Sequence, residues 1–456
     1  MSLLQATNKT NRHNYRGIIA IGLPVVIGQL GTIVLGFADT LMIGRHSTEE
    51  LAAAGLVNNI FNLVLLFYLG FSYGFTPIVG RLFGIGAQRK IGAKLKNSLA
   101  ANTVVGLLLT AVVTALYFNL ARIGQPVELL PLIRPYFIVN LASILFVGVF
   151  NTFKQYFDGT TRTDVAMWIM LGGNVLNIVF NWMLIYGVGI FPELGLLGAG
   201  ISTLGSRIAM ALAIAAVFCC GARSRESRQG YAAAHINKAD FREMNRLGWP
   251  VAMQLGMETA AFSLSCVMAG WLGTLQLAAH QIAITLSQLF YLTLSGLASA
   301  VSICISLYAG RHDFTAVRTN AADGLRLVVA ISTAMAIPML IFRNSIGALF
   351  SSNAEVQTMT AALCIMLAIY QFGDALQYTY ANALRGIACV KPLVYYAFIA
   401  YFVINLPLAY IFGFTLGFGL TGIWAAFPIG LTAAGAMFYC KFRRELAKKA
   451  LQPNAA

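Results

Sequence analysis

Polar positions along this chain are few and clustered. Between them lie twelve apolar runs, at roughly 17–40, 51–79, 95–118, 130–153, 164–187, 196–220, 245–270, 277–308, 320–342, 355–384, 392–413 and 420–440. A helix of about 20 apolar residues crosses the hydrocarbon core of a bilayer, and each run reaches that length. Backbone groups in lipid must be satisfied within their own segment, so the runs predict helices. The two-residue alternation of a membrane β-barrel is absent. The first run is too long for a signal peptide and is expected to be a retained helix. The pattern therefore predicts an all-α integral membrane protein with twelve transmembrane helices.

One long polar stretch, about 221–244, divides the runs into six and six. The expected organisation is an N-lobe at 1–220, a cytoplasmic linker at 221–244, and a C-lobe with a basic tail at 245–456. Sliding residues 21–99 onto 247–325, a shift of 226, needs no gap and leaves 14 of 79 positions identical. Pro24 meets Pro250, Gly44 meets Gly270, and Thr48 meets Thr274 in one register. Six spans per half preserve direction, which implies parallel repeats related by an axis along the membrane normal. Two six-helix bundles of this kind are expected to flank a central cleft, the layout of an alternating-access transporter.

Composition agrees: 58% of the 456 residues are hydrophobic and 10% charged, against about 25% charged in soluble domains. The net charge of +15 would suit nucleic acid, but no basic face or binding motif accompanies it. Its placement marks topology instead. Lys9, Arg12 and Arg16 precede the first span, and Arg81, Arg89, Lys90, Lys94 and Lys96 fill the second gap. Arg223, Arg225, Arg228, Lys238, Arg242 and Arg246 occupy the linker region, and Lys441, Arg443, Arg444, Lys448 and Lys449 the tail. The intervening gaps, on the opposite side by this alternation, hold only Arg45, Arg122 and Arg343, with Arg134 at the start of the fourth run. By the positive-inside rule both termini and the linker are expected in the cytoplasm, with the chain in the inner (plasma) membrane.

The chemistry lies in what interrupts the apolar runs. Asp39, Glu258 and Asp374 are the acids placed well inside them. An Asp at a helix centre costs about 2.5–3.5 kcal/mol on insertion scales, so such groups face a cavity or the bundle interior. There a carboxylate can hold a proton at one stage of a cycle and release it, or trade it for Na⁺. Asn174, Asn177 and Asn181 share one helix face. They suit either a cation's oxygen shell or an interhelical hydrogen-bond ladder. Asp374, Gln377 and Tyr378 share another face. Tyr291 offers a hydroxyl or a π face to a cation. Under the repeat Asp39 aligns with Ser265 and Glu258 with Thr32, so the acids are not duplicated copies. Pro24, inside the first run, is a hinge candidate, and Pro338, Pro407 and Pro428 also interrupt spans.

Other signals are weaker. The seven cysteines form no C-x-x-C pair and read as small core residues. His280 has no second ligand at metal spacing and reads as a hydrogen-bonded interior residue. The G-x-G at 198–200 opens an apolar run without a preceding strand, and no Walker A pattern occurs. The Asn8–Thr10 sequon falls on the expected cytoplasmic side.

Three segments together resemble the multidrug and toxic compound extrusion (MATE) family: "GFADTLMIGRHSTEELAAAGL", "LAAHQIAITLSQLFYLTLSGLASAVSICISLYAG" and "YQFGDALQYTYANALRG". The last is similar to the NorM-like branch. The resemblance implies a secondary antiporter, not an enzyme, that exports amphipathic, often cationic, compounds in exchange for Na⁺ or H⁺. It implies an N-lobe coupling site at Asp39, Asn177, Asn181 and Thr203, and a C-lobe site at Glu258, Tyr291 and Asp374. No cofactor is expected, and no metal beyond Na⁺ at those positions. The expected partners are small amphipathic substrates and the lipid bilayer, not nucleic acid, with a monomer as the working unit. A flippase for a lipid-linked saccharide or peptidoglycan precursor is the alternative. It would want basic residues in the cavity, and only Arg207 and Arg326 fall inside spans.

Overall fold

The computed structural model describes residues 14–120 and 127–451. Lys9, Arg12, Arg122 and the Asn8–Thr10 sequon lie outside them. Twelve helices long and apolar enough to cross a membrane are present among the described residues. They are α1 (Tyr15–His46), α2 (Thr48–Gly84), α3 (Gln88–Phe118), α4 (Leu130–Gly159), α5 (Thr163–Ile185) and α6 (Gly195–Cys220). The second half holds α7 (Lys238–Leu272), α8 (Thr274–Gly310), α9 (Phe314–Ile341), α10 (Ala354–Gly386), α11 (Lys391–Thr415) and α12 (Gly419–Leu451).

Most helices outrun their apolar stretches, because a helix continues into the polar interface as long as its backbone bonds are made. The polar stretch at 221–244 is largely helical too: a short helix spans Arg225–Ala233, and α7 already begins at Lys238. The short helix lies so close to α3 that a Cβ at Gly92 would clash with the Ser227 backbone. Lys94 then ties α3 to α7 through Asp240 at 2.8 Å and Glu243 at 2.5 Å, and Arg81 reaches Glu243 at 3.1 Å.

The chain forms two compact units. One takes the chain up to Val26 and from Met253 onward; the other is Ile27–Ala252. The two boundaries fall inside α1 and α7, at positions that the shift of 226 superposes, two residues after Pro24 and Pro250. Within the first unit, Gly22 of α1 packs on Leu297 and Ala300 of α8, and the Asn14 amide N–H donates to Asp323 at 2.9 Å. Within the second, Gly248 of α7 lies on Phe71 and Gly74 of α2, with Trp249 edge-on to Phe71 at 5.7 Å. Gly22 on Ala300 and Gly248 on Gly74 are equivalent pairs under the repeat.

The backbone repeats as well. Gly86 after α2 and His312 after α8 both adopt left-handed φ, 73° and 58°, at aligned positions. Thr161 after α4 and Ala388 after α10 also adopt left-handed φ, 62° and 59°, one residue out of the same register. Side chains other than glycine pay about 1–2 kcal/mol for this conformation, so its recurrence reflects the geometry of the connection.

The halves differ at two breaks. α2 carries a turn at Gly74–Phe75, after which Pro77 starts the next helical segment. α11 is π-helical over Ile399–Asn405 and again over Ile411–Thr415, on either side of Pro407. A proline deletes one i→i−4 bond, and wider turns absorb the defect. The core of the 253-onward unit centres on Trp424, Phe427, Tyr370 and Phe290. There Trp424 Nε1 donates to His280 Nδ1 at 3.0 Å, the interior role expected for that histidine. All seven cysteines are free thiols.

Candidate functional site

In the 27–252 unit, α1, α5 and α6 bring four expected residues together. Asn181 Nδ2 donates to Asp39 Oδ1 at 2.5 Å and to Asn177 Oδ1 at 3.0 Å. With its amide oxygen and nitrogen exchanged, Asn177 itself donates to Asp39 Oδ1 at 3.1 Å and accepts from Ser206 Oγ at 3.3 Å. Both asparagines therefore sit within hydrogen-bond distance of one carboxylate oxygen. Thr203 Oγ1 lies 3.4 Å from the Asn177 amide nitrogen. Asn174, one turn away, does not join: its Nδ2 is buried without a partner among the described residues.

The same region holds residues that the expected N-lobe site did not include. Arg207 on α6 donates to Ser143 Oγ on α4 at 2.5 Å, and its charge reaches both Asp39 and Tyr136. Tyr136 OH donates to Asn58 Oδ1 at 3.1 Å. A basic residue inside an apolar run was the available signal for Arg207. Its role as a counter-charge needed the packing of α4 against α6.

In the other unit, α7, α8, α10 and α11 build a second cluster. Glu258, Asp374 and Gln377 are each at most 7% exposed. Tyr378 OH donates to Glu258 Oε1. The Tyr291 ring stands edge-on to Tyr378 with centroids 5.3 Å apart. Gln377 Nε2 donates to Tyr401 OH at 2.5 Å, and Glu258 and Asp374 are close enough to interact electrostatically. Arg385, one turn past Ala381, donates to Gln254 Oε1 at 2.9 Å and also acts on Glu258.

Several polar atoms of the cluster are buried without a protein partner among the described residues: both Asp374 oxygens, Glu258 Oε2 and Gln377 Oε1; both amide atoms of Gln371 on α10 and Asn405 on α11 are likewise unpaired. A buried polar atom left unpaired costs about 1–3 kcal/mol, more when charged. A proton or a hard cation would offset that cost, and the carboxylate, amide and phenol oxygens present suit Na⁺ by ligand type. Among the described residues no group of three or more His, Cys, Asp or Glu forms a transition-metal site.

Beyond Asp39, Glu258 and Asp374, two further acids are buried at the edges of their apolar runs. Asp158 and Asp323 are 3% and 0% exposed within α4 and α9. Asp158 pairs with Lys154 at 2.7 Å because α4 runs six residues past its apolar stretch. Asp323 is used by the Asn14 backbone and by Arg326 at 3.4 Å. Arg326 itself is largely exposed, with 60% of its side chain accessible.

Twelve membrane-length helices in two related halves, each burying carboxylates among polar side chains, define a multi-pass membrane transporter. The chain belongs to the MatE family: the family model matches residues 24–183 and 250–411, one copy per half, starting at the aligned prolines. Solved structures share the fold. A MATE protein in complex with MaD5 is 20% identical with a TM-score of 0.85, covering 98% of each chain. The eukaryotic MATE transporter AtDTX14 is 17% identical with a TM-score of 0.85, covering 99% of this chain and 100% of its own. A MOP superfamily transporter from Pyrococcus furiosus, described as having a binding pocket of reversed polarity, is 20% identical with a TM-score of 0.85 and 96% coverage of both. Members of this family are transporters rather than enzymes.

Proposed function

We propose that this transporter is a secondary antiporter. It exports amphipathic, often cationic, small molecules in exchange for Na⁺ or H⁺, with both termini on the cytoplasmic face of the inner membrane. The carrying observation is the Glu258–Asp374 pair, buried with unpaired oxygens beside Tyr378, Tyr401 and Gln377. Carboxylates so placed are stabilised by a bound proton or cation, so ion binding favours whichever facing of the transporter keeps them ligated. A ligand shifts a conformational equilibrium only through its different affinity for the two states. The Asp39 cluster, already hydrogen-bonded to Asn181, is the second coupling locus. No further group is needed; the exchanged ion enters as a substrate of the cycle.

Reconstitution tests this. Efflux of a fluorescent cation from proteoliposomes should follow an imposed Na⁺ or pH gradient, and should fall in Glu258→Gln, Asp374→Asn and Asp39→Asn. Transport indifferent to both gradients would remove the antiport reading. Full activity in all three variants would remove the site assignment.

A further inference from the structure

A cavity of about 470 Å³ lies between the first turns of α9 and the last turns of α10 and α12. It belongs to neither carboxylate cluster. Its polar lining is two arginines, Arg318 and Arg443, with Thr315, Tyr380 and Tyr439, and Phe314 and Phe442 supply apolar wall. Arg443 lies over the Tyr439 ring, 5.7 Å from its centroid, and Tyr380 meets that ring edge-on at 4.8 Å. Tyr380 and Phe442 are buried, so the wall is fixed by packing.

No acid lines this cavity. The nearby carboxylates are already engaged. Asp313 accepts from the Ala316 amide N–H at 2.9 Å, Asp323 from Asn14, and Glu445 takes Lys441 at 2.9 Å and Lys448 at 3.6 Å. Neither Arg318 nor Arg443 has a carboxylate partner among the described residues. Two guanidinium groups over an aromatic floor match a phosphate, which they can grip through paired N–H donors. The apolar wall matches the carbons attached to it. A cationic export substrate would be repelled here.

We propose that this cavity binds the phosphate headgroup of an anionic glycerophospholipid, tying α9 to α12. A zwitterionic lipid fits less well, since no carboxylate lines the cavity to pair with its ammonium group and the Tyr439 ring already carries Arg443. Basic pockets between transmembrane helices are a known mode of headgroup recognition.

The test uses the purified full chain in neutral detergent micelles. Dioleoylphosphatidylglycerol, dioleoylphosphatidylcholine and inorganic phosphate are titrated separately. Bound lipid is counted by native mass spectrometry and thermal midpoint is followed in parallel. Phosphatidylglycerol should bind in preference to phosphatidylcholine, and Arg318→Ala/Arg443→Ala should weaken it by about thirtyfold. Arg318→Lys/Arg443→Lys should recover part of the loss, which separates charge from misfolding. Arg444→Ala/Lys448→Ala removes the same charge outside the cavity and should change binding by less than about threefold. Equal loss in that control, no loss in the arginine double variant, or phosphate competing as well as lipid would each overturn the assignment. Transport is not part of the readout, so this proposal and the antiport reading fail independently.

Discussion

Tyr378 stands one helical turn beyond Asp374 on α10 and gives its hydroxyl hydrogen to Glu258 on α7. One helix therefore supplies both the second acid of the pair and the donor that orients the first. Hydrogen bonds to charged groups contribute about 1.5–3 kcal/mol. Tyr378→Phe keeps the ring against Tyr291 and removes only the donor. The cation concentration that half-saturates coupled efflux should shift by about ten- to a hundredfold, with little change in thermal midpoint. Unchanged coupling would show that the bond does not orient Glu258.

Asn405 has a different status. It sits in the π-helical part of α11, 1% exposed, and neither amide atom has a protein partner among the described residues. Replacing an unpaired buried amide with an apolar group of similar size is neutral or stabilising, on the order of 1 kcal/mol. Asn405→Leu should therefore hold or raise the thermal midpoint while reducing ion-coupled efflux. If the variant transports normally, Asn405 is an unused polar residue. A lower midpoint would show that its amide is satisfied in the working protein.

Much of this was legible in the sequence, for identifiable reasons. Long apolar runs fix helix number because lipid leaves the backbone no other partner. The Pro24/Pro250 register marks the duplication because proline is rare inside apolar runs. Asp39, Asn177, Asn181 and Thr203 could be named because rare polar residues inside apolar runs stand out. Tyr401 and Asn405 could not. Both lie in the π-helical part of α11, a local winding that apolar periodicity does not signal, and it is there that Tyr401 meets Gln377. Asp158 was missed for another reason: its helix continues past the apolar stretch that marks the span, and its partner Lys154 masks the acid as surface charge.

The N-terminal half's cluster predicts a pattern of non-additivity. Asn181 and Asp39 share one 2.5 Å hydrogen bond, so removing either partner removes the same interaction. Asp39→Ala with Asn181→Ala, each of which deletes one end of that bond, should cost scarcely more efflux than the worse single variant. Asp39→Asn with Glu258→Gln, in separate compact units, should combine to within about 0.5 kcal/mol of additivity. A full double-mutant cycle on coupled efflux reads both, and additive behaviour in the first pair would deny the shared bond a role.

Pro24 and Pro250 precede the two points at which α1 and α7 pass from one compact unit to the other. Each lacks the N–H that would bond the carbonyl four residues back, Ala20 or Arg246, and leaves a soft point in a long helix. Proline inside a helix costs about 3 kcal/mol relative to alanine, so Pro24→Ala should strengthen α1. Hydrogen exchange at amides near 20–28 should slow, and turnover should fall by about tenfold if bending there is part of the cycle. Slower exchange with normal turnover would make Pro24 a static kink rather than a hinge.

Lys154 and Asp158 form a buried pair at 2.7 Å on one face of α4, with 10% and 5% of their side chains accessible. Asp158 Oδ1 has no other partner among the described residues, so its charge depends on Lys154. Breaking a buried pair by removing one partner costs about 3–5 kcal/mol, whereas exchanging both for apolar groups is often neutral. Lys154→Met should lower the thermal midpoint in detergent sharply, and Lys154→Met/Asp158→Leu should recover most of the loss. Tyr156 and Phe157, between the two, stay in place in either variant and provide the same packing. A double variant as unstable as the single would mean that the pair holds more than itself. Gln155, also between the two, accepts from Thr76 at 2.5 Å and so links the same turn to α2 whether or not the pair is present.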